Sequence, residues 1–160
     1  MNNSYQQFPD SARVWIYQSD RPFPEEALAD IQKKVQDFAQ RWVSHDRRLR
    51  AFADVWHHRF IILMVDEGMA DASGCSIDTS VRFLKALQAE QGVDLFDRMR
   101  FSYRQGEQVF TVPREEFAEK YAAGEIDDHT LVFDTLISNK GDLERSWEKS
   151  LGQSWHKRMV

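Results

Sequence analysis

The chain has 160 residues and a mass of 18.8 kDa, and its 42% hydrophobic content, including 11 Phe, 5 Trp and 4 Tyr, supplies one sizeable core and excludes disorder by composition. Its 26 acidic against 21 basic side chains leave a formal net charge of −5, which argues against a general nucleic-acid coat because phosphate binding needs a basic excess on some face. The one cysteine, Cys75, excludes an internal disulfide. The first residues carry neither a basic start nor an apolar stretch, and no apolar run approaches the roughly 20 residues that span a bilayer, so the expectation is a single cytoplasmic domain over 1–160 with no membrane partner.

Residues 14–17, Val-Trp-Ile-Tyr, predict a short buried strand between polar turns. Leu28, Ile31, Val35, Phe38 and Trp42 then recur at steps of three and four, a helical stripe that Pro24 opens and Glu25 and Glu26 favour at the positive end of the dipole. After the charged turn 45–48, Leu49, Ala51, Ala53 and Val55 alternate as in a strand. The run 60–65, Phe-Ile-Ile-Leu-Met-Val, is apolar on both faces, as in a central strand covered on both sides. With only His57, His58 and Arg59 between them, the two segments fit either a hairpin or one long bent strand.

Ile77, Val81, Leu84 and Leu87 form a second helical stripe that Gly92 ends, and Met99, Phe101 and Tyr103 lead through Gln105-Gly106-Glu107 into Val109 and Val112 as another hairpin. Pro113 followed by Glu115, Glu116, Phe117 and Tyr121 predicts a short helix stopped by Gly124. Residues 130–137 fit a strand or a helix. The order predicts an α+β fold: a mostly antiparallel sheet with helices on one face, in a ferredoxin-like arrangement with a C-terminal extension.

Chemistry concentrates at the start of the second helix, where Ser73, Gly74, Cys75 and Ser76 follow the central strand. Ser73 or Ser76 can cap the helix, and open N–H groups there, with the hydroxyls of Ser73, Ser76 and Thr79, can form a small anion pocket. Asp78, in the first turn, competes for the same dipole. Cys75 at this position is a candidate nucleophile or redox thiol, provided that one of His45, His57, His58, His129 or His156 serves as its base. No metal site is expected, because His57 and His58 are adjacent and face opposite ways on a strand, and no Cys pair or His-x-x-x-His spacing exists. No cofactor is implied.

The apolar run ends in Asp66 and Glu67, which resembles a Walker B strand, yet no Gly-Lys pair exists to form the phosphate loop that nucleotide hydrolysis requires. At the C-terminal end, Trp155, His156, Lys157 and Arg158 follow Trp147. They either plug the core or offer stacking and phosphate contacts to a nucleotide or single-stranded RNA, joined by Arg13, Arg21 and Arg59 if the fold collects them.

Residues 11–19 (Ser-Ala-Arg-Val-Trp-Ile-Tyr-Gln-Ser), the block 73–78 with Val81 and Phe83, the triplet 93–95 and the segment 154–158 make the whole chain resemble a small Bacteroidetes family that automated labelling often terms "ABC transporter ATPase". The resemblance implies a shared fold and no assigned chemistry. The leading expectation is a module that binds a small anionic ligand or a protein partner through Asp66 and the segment 73–78. The alternatives are a hydrolase or redox enzyme using Cys75 with a histidine, or a nucleotide hydrolase using Asp66 and Glu67.

Overall fold

The computed structural model describes residues 5–68 and 70–160. Strand β1 (Arg13–Gln18) leads into helix α1 (Glu25–Arg41), a two-stranded ribbon of β2 (Val43–Ser44) and β3 (Arg47–Arg48), strands β4 (Ala51–Trp56) and β5 (Phe60–Val65), and helix α2 (Gly74–Gln91). The rest holds β6 (Arg100–Gln105), β7 (Gln108–Pro113), α3 (Arg114–Ala122), β8 (Leu131–Phe133), α4 (Lys140–Ser146) and β9 (Glu148–Ser150), then 3-10 turns at Leu151–Gln153 and Trp155–Met159. The fold is α+β, and every strand pair is antiparallel.

β5 lies between β1 and β4 in a three-stranded sheet, and all six of its residues are buried. The pleat divides them: Ile61, Leu63 and Val65 pack with Ile31, Val35 and Phe38 of α1 and Leu84 and Leu87 of α2, while Phe60, Ile62 and Met64 pack with Phe133, Ile137, Leu143 and Trp147. Both long helices therefore sit on one face of this sheet, and the other face is covered by the C-terminal part of the chain. Each such apolar side chain contributes roughly 1.5–3 kcal/mol on burial, so this one strand carries much of the hydrophobic stabilisation.

β4 and β5 form a hairpin rather than one bent strand, with Trp56 opposite Phe60. His57 and His58 turn the chain at φ 52° and 58°, the two left-handed positions of the tight hairpin turn that Asn-Gly usually occupies. Each costs a residue with a Cβ about 1–2 kcal/mol. The His57 ring offsets part of this by packing 5.2 Å from Phe133 and 5.7 Å from Trp147, and this burial pulls its pKa below the ordinary histidine value.

β1, α1, β4, β5 and α2 follow the first five steps of a ferredoxin-like order. The next strand, β6, does not return to β1; it joins a second sheet ordered β7-β6-β8-β9, whose core is Phe101, Tyr103, Phe117, Val132 and Leu151. The outer edge of β1 is instead bridged once, where the Val14 amide donates to the Ser138 carbonyl (2.9 Å) and the Lys140 amide to that of Ala12 (2.9 Å). Residues 131–133 take the strand option left open above, and Asp134 ends it by accepting the Leu136 amide in a side-chain turn (2.9 Å). Among the described residues no helix is long and apolar enough to cross a membrane.

Candidate functional site

The end of β5 and the start of α2 do lie at one rim, but their polar groups hold each other. Asp66 is buried, accepts from Arg50 Nη1 at 2.6 Å and from the Gly68 amide at 3.0 Å, and donates its own amide to the Arg50 carbonyl. Glu67 accepts the Ala72 amide at 2.9 Å and faces Arg13 at 3.9 Å. The two carboxylates thus organise the turn into α2. Among the described residues, no three His, Cys, Asp or Glu side chains are grouped so as to hold a metal ion.

Ser73 caps α2 from extended backbone (φ −96°, ψ 168°): its hydroxyl accepts the Ser76 amide (3.1 Å) while the Ser76 hydroxyl accepts the Ser73 amide (2.7 Å), a reciprocal capping box with serine where Glu or Gln is usual. The Thr79 hydroxyl turns back onto the Cys75 carbonyl (2.9 Å). The hydroxyls expected to line an anion pocket are therefore engaged by the helix itself, and Gly74 and Asp78 are exposed. Cys75 is exposed in the first turn, and its sulfur hydrogen-bonds to no group among the described residues. Ser73→Ala should lower stability by about 1 kcal/mol by removing the cap, whereas Cys75→Ser should stay within about 0.5 kcal/mol, as urea titrations will show.

At the C-terminal end the rings turn inward. Trp155 donates its indole N–H to Asp134 (2.8 Å), shares that carboxylate with Lys149 (2.7 Å), and stacks at 3.8 Å on His156. His156 is 1% exposed, its Nδ1 lies 2.6 Å from the Ser154 hydroxyl, and burial drives its pKa from 6.5 to about 4 against the opposing charge of Asp134. Lys157 is held by Asp128 and Tyr121, and only Arg158 of this segment is both exposed and without an ion pair among the described residues. Nor are the other arginines gathered here: Arg59 is buried and donates to Thr111 and the His57 carbonyl, and Arg21 donates to the Gly92 carbonyl. The four residues form a core plug with a solvated cationic fringe, not a stacking platform.

Sequence reasoning missed a cleft along the outer edge of β1. Because Val14 and Asp20 donate outward, to Ser138 and Asp94, the even-numbered residues of this strand point their main chain away from β5. Between those two bonds, the N–H and C=O of Ile16 have no partner among the described residues. Two adjoining hollows meet there, sharing Ile16, Tyr17, Arg98 and Thr135, and extending to Leu136 and Arg13 on one side and Phe96 and Arg100 on the other. The Asp134 turn leads directly into Thr135 and Leu136, which line this space.

Arg98 is exposed and has no ion pair among the described residues, Arg100 is paired with Asp97 at 3.1 Å, and the Arg13 guanidinium lies 4.7 Å over Trp15. Arg98 lines both hollows together with Tyr17, whose pKa burial raises against the opposing Arg98 charge. No sequence period marks Arg98 or Thr135, since they meet only through the topology. Comparison with models of known families, with curated proteins and with solved structures finds no match for this chain.

Proposed function

We propose that this protein is a binding module that takes an anionic group at the edge of β1, and not an enzyme built on Cys75. The supporting observation is the coincidence of an unpaired guanidinium, Arg98, with unpartnered main-chain groups at Ile16 in one cleft. A strand-edge N–H and an arginine both donate to carboxylate or phosphate oxygens, and charge-assisted bonds of this kind are roughly twice as strong as neutral ones. The rival site at α2 has its hydroxyls already bonded.

The same reading keeps the proposed kinship with the Bacteroidetes family and sets its ATPase label aside. The chain has no Gly-Lys pair, and Asp66 and Glu67 brace a turn. Titrating isotope-labelled protein with citrate at low ionic strength should shift the amide resonances of Ile16, Tyr17 and Arg98, and the shifts should shrink as salt screens the charges. Shifts confined to Gly74 and Cys75 would return the site to the helix start, and no shift at either place would remove the anion-binding reading.

A further inference from the structure

Resting on that reading, we infer that the natural occupant of the cleft is an extended acidic segment of a partner protein, added to β1 as a short antiparallel strand. An exposed sheet edge is a template for main-chain pairing, and proteins either block such edges or use them to recognise peptides. Here the edge is blocked on both sides of Ile16 and open between. From the Val14 bond to the end of β1 at Gln18 is 18 − 14 = 4 residues, roughly 14 Å of strand, so a segment of about three residues fits.

Antiparallel pairing suits so short a window. One antiparallel residue opposite Ile16 satisfies both its N–H and its C=O, whereas a parallel strand needs flanking residues on each side to do the same. The chain already adopts this direction beside the window, where Asn139 bridges Arg13 in antiparallel register.

Side chains follow from the pleat, since directly opposed residues share a face. Val14 and Ile16 belong to the core face that includes Ile137, and exposed Leu136 stands beside the same hollow, so the residue opposite Ile16 meets apolar surface. Trp15 and Tyr17 lie on the opposite face, where Arg13 covers Trp15, and Arg98 lines both hollows with Tyr17. Residues opposite Trp15 and Tyr17 therefore meet Arg98, which has no ion pair among the described residues, and Arg13, which Glu67 engages only at 3.9 Å. The preferred segment is acidic-aliphatic-acidic.

The test uses the full chain and three capped peptides containing Glu-Ile-Glu, Lys-Ile-Lys, and Glu-Ile-Glu N-methylated at the central isoleucine, read by calorimetry and by amide hydrogen exchange at Ile16. Glu-Ile-Glu should bind and protect the Ile16 amide, Lys-Ile-Lys should bind at least about tenfold more weakly, and N-methylation should abolish the protection and most of the affinity. Arg98→Glu, an exposed substitution whose folding is checked by circular dichroism, should weaken Glu-Ile-Glu by about tenfold or more. Equal binding of the methylated and unmethylated acidic peptides would overturn strand addition while leaving anion binding intact. Equal binding of the acidic and basic peptides would overturn the charge preference. If neither Glu-Ile-Glu nor citrate binds, the cleft reading itself falls.

Discussion

Phe60→Ala is expected to lower the free energy of unfolding by about 3–5 kcal/mol. The ring is fully buried at the point where β5 meets the C-terminal half of the chain, 5.1 Å from Phe133, 5.0 Å edge-on to Trp147 and 6.2 Å from His57. Removing it deletes the apolar transfer term and leaves a space that aromatic neighbours from three separate elements cannot all fill by relaxing. Urea unfolding should show a lower midpoint at an unchanged slope, and the melting temperature should fall by roughly 6–20 °C for a chain of this size. Val43→Ala, at a side chain 48% exposed, serves as the control and should stay within about 0.5 kcal/mol. A loss below 1 kcal/mol at Phe60 would mean that the first sheet does not depend on the packing of the second half.

Acid should destabilise the protein well above the pH at which its carboxylates titrate. His156 has a folded pKa of about 4 against 6.5, because burial opposes the imidazolium. A base whose folded pKa is depressed stays neutral in the fold while the unfolded chain takes up a proton. Its contribution is therefore complete above pH 6.5 and is lost progressively as the pH falls toward 4. At about 1.4 kcal/mol per unit, the loss over that window is roughly 3 kcal/mol. His57, lowered by burial and then by Arg104, adds to the same slope.

Asp134 acts lower on the scale: its burial alone would raise the carboxyl pKa, yet hydrogen bonds from Lys149, Trp155 and the Leu136 amide carry it below 3.8, so its contribution fades only in stronger acid. Denaturant titrations between pH 7 and 4 should show the wild-type slope, and His156→Phe should flatten it. A His156→Phe variant with the same pH dependence as wild type would mean that the ring is not held neutral in the fold.

The long apolar periods were legible because they report burial directly. The stripe of Ile31, Val35 and Phe38, the continuous run 60–65 and the pair around Gly106 each appear as the predicted helix, central strand and hairpin. The capping role of Ser73 was legible for a similar reason, since short polar residues before a helical stripe have a local use. Elements held by tertiary contacts alone were not. β2 and β3 are two-residue strands, one just before the charged turn and one within it, and β9 (Glu-Lys-Ser) has no apolar alternation. The inward turn of Trp155 and His156 depends on Asp134 and Phe101, 21 and more residues away, so the sequence could favour a plug from the apolar weight of the indole but not show what it packs against. The cleft at β1 was least visible, because what makes it a site is a main-chain edge left without a partner.

The bridge between β1 and Ser138 also bears on how the protein is made. Val14 leaves the ribosome 138 − 14 = 124 residues before the carbonyl that covers it, a delay of roughly 6–25 s at ordinary rates of synthesis. The three-stranded sheet can form only once β5 is made, so over the last 138 − 65 = 73 residues of that interval, roughly 4–15 s, it presents the Val14 stretch of its outer border to other chains. A chaperone that holds extended segments, or a partner able to lie along that border early, would shield the protein during the stretch of its biosynthesis when it is most prone to aggregate.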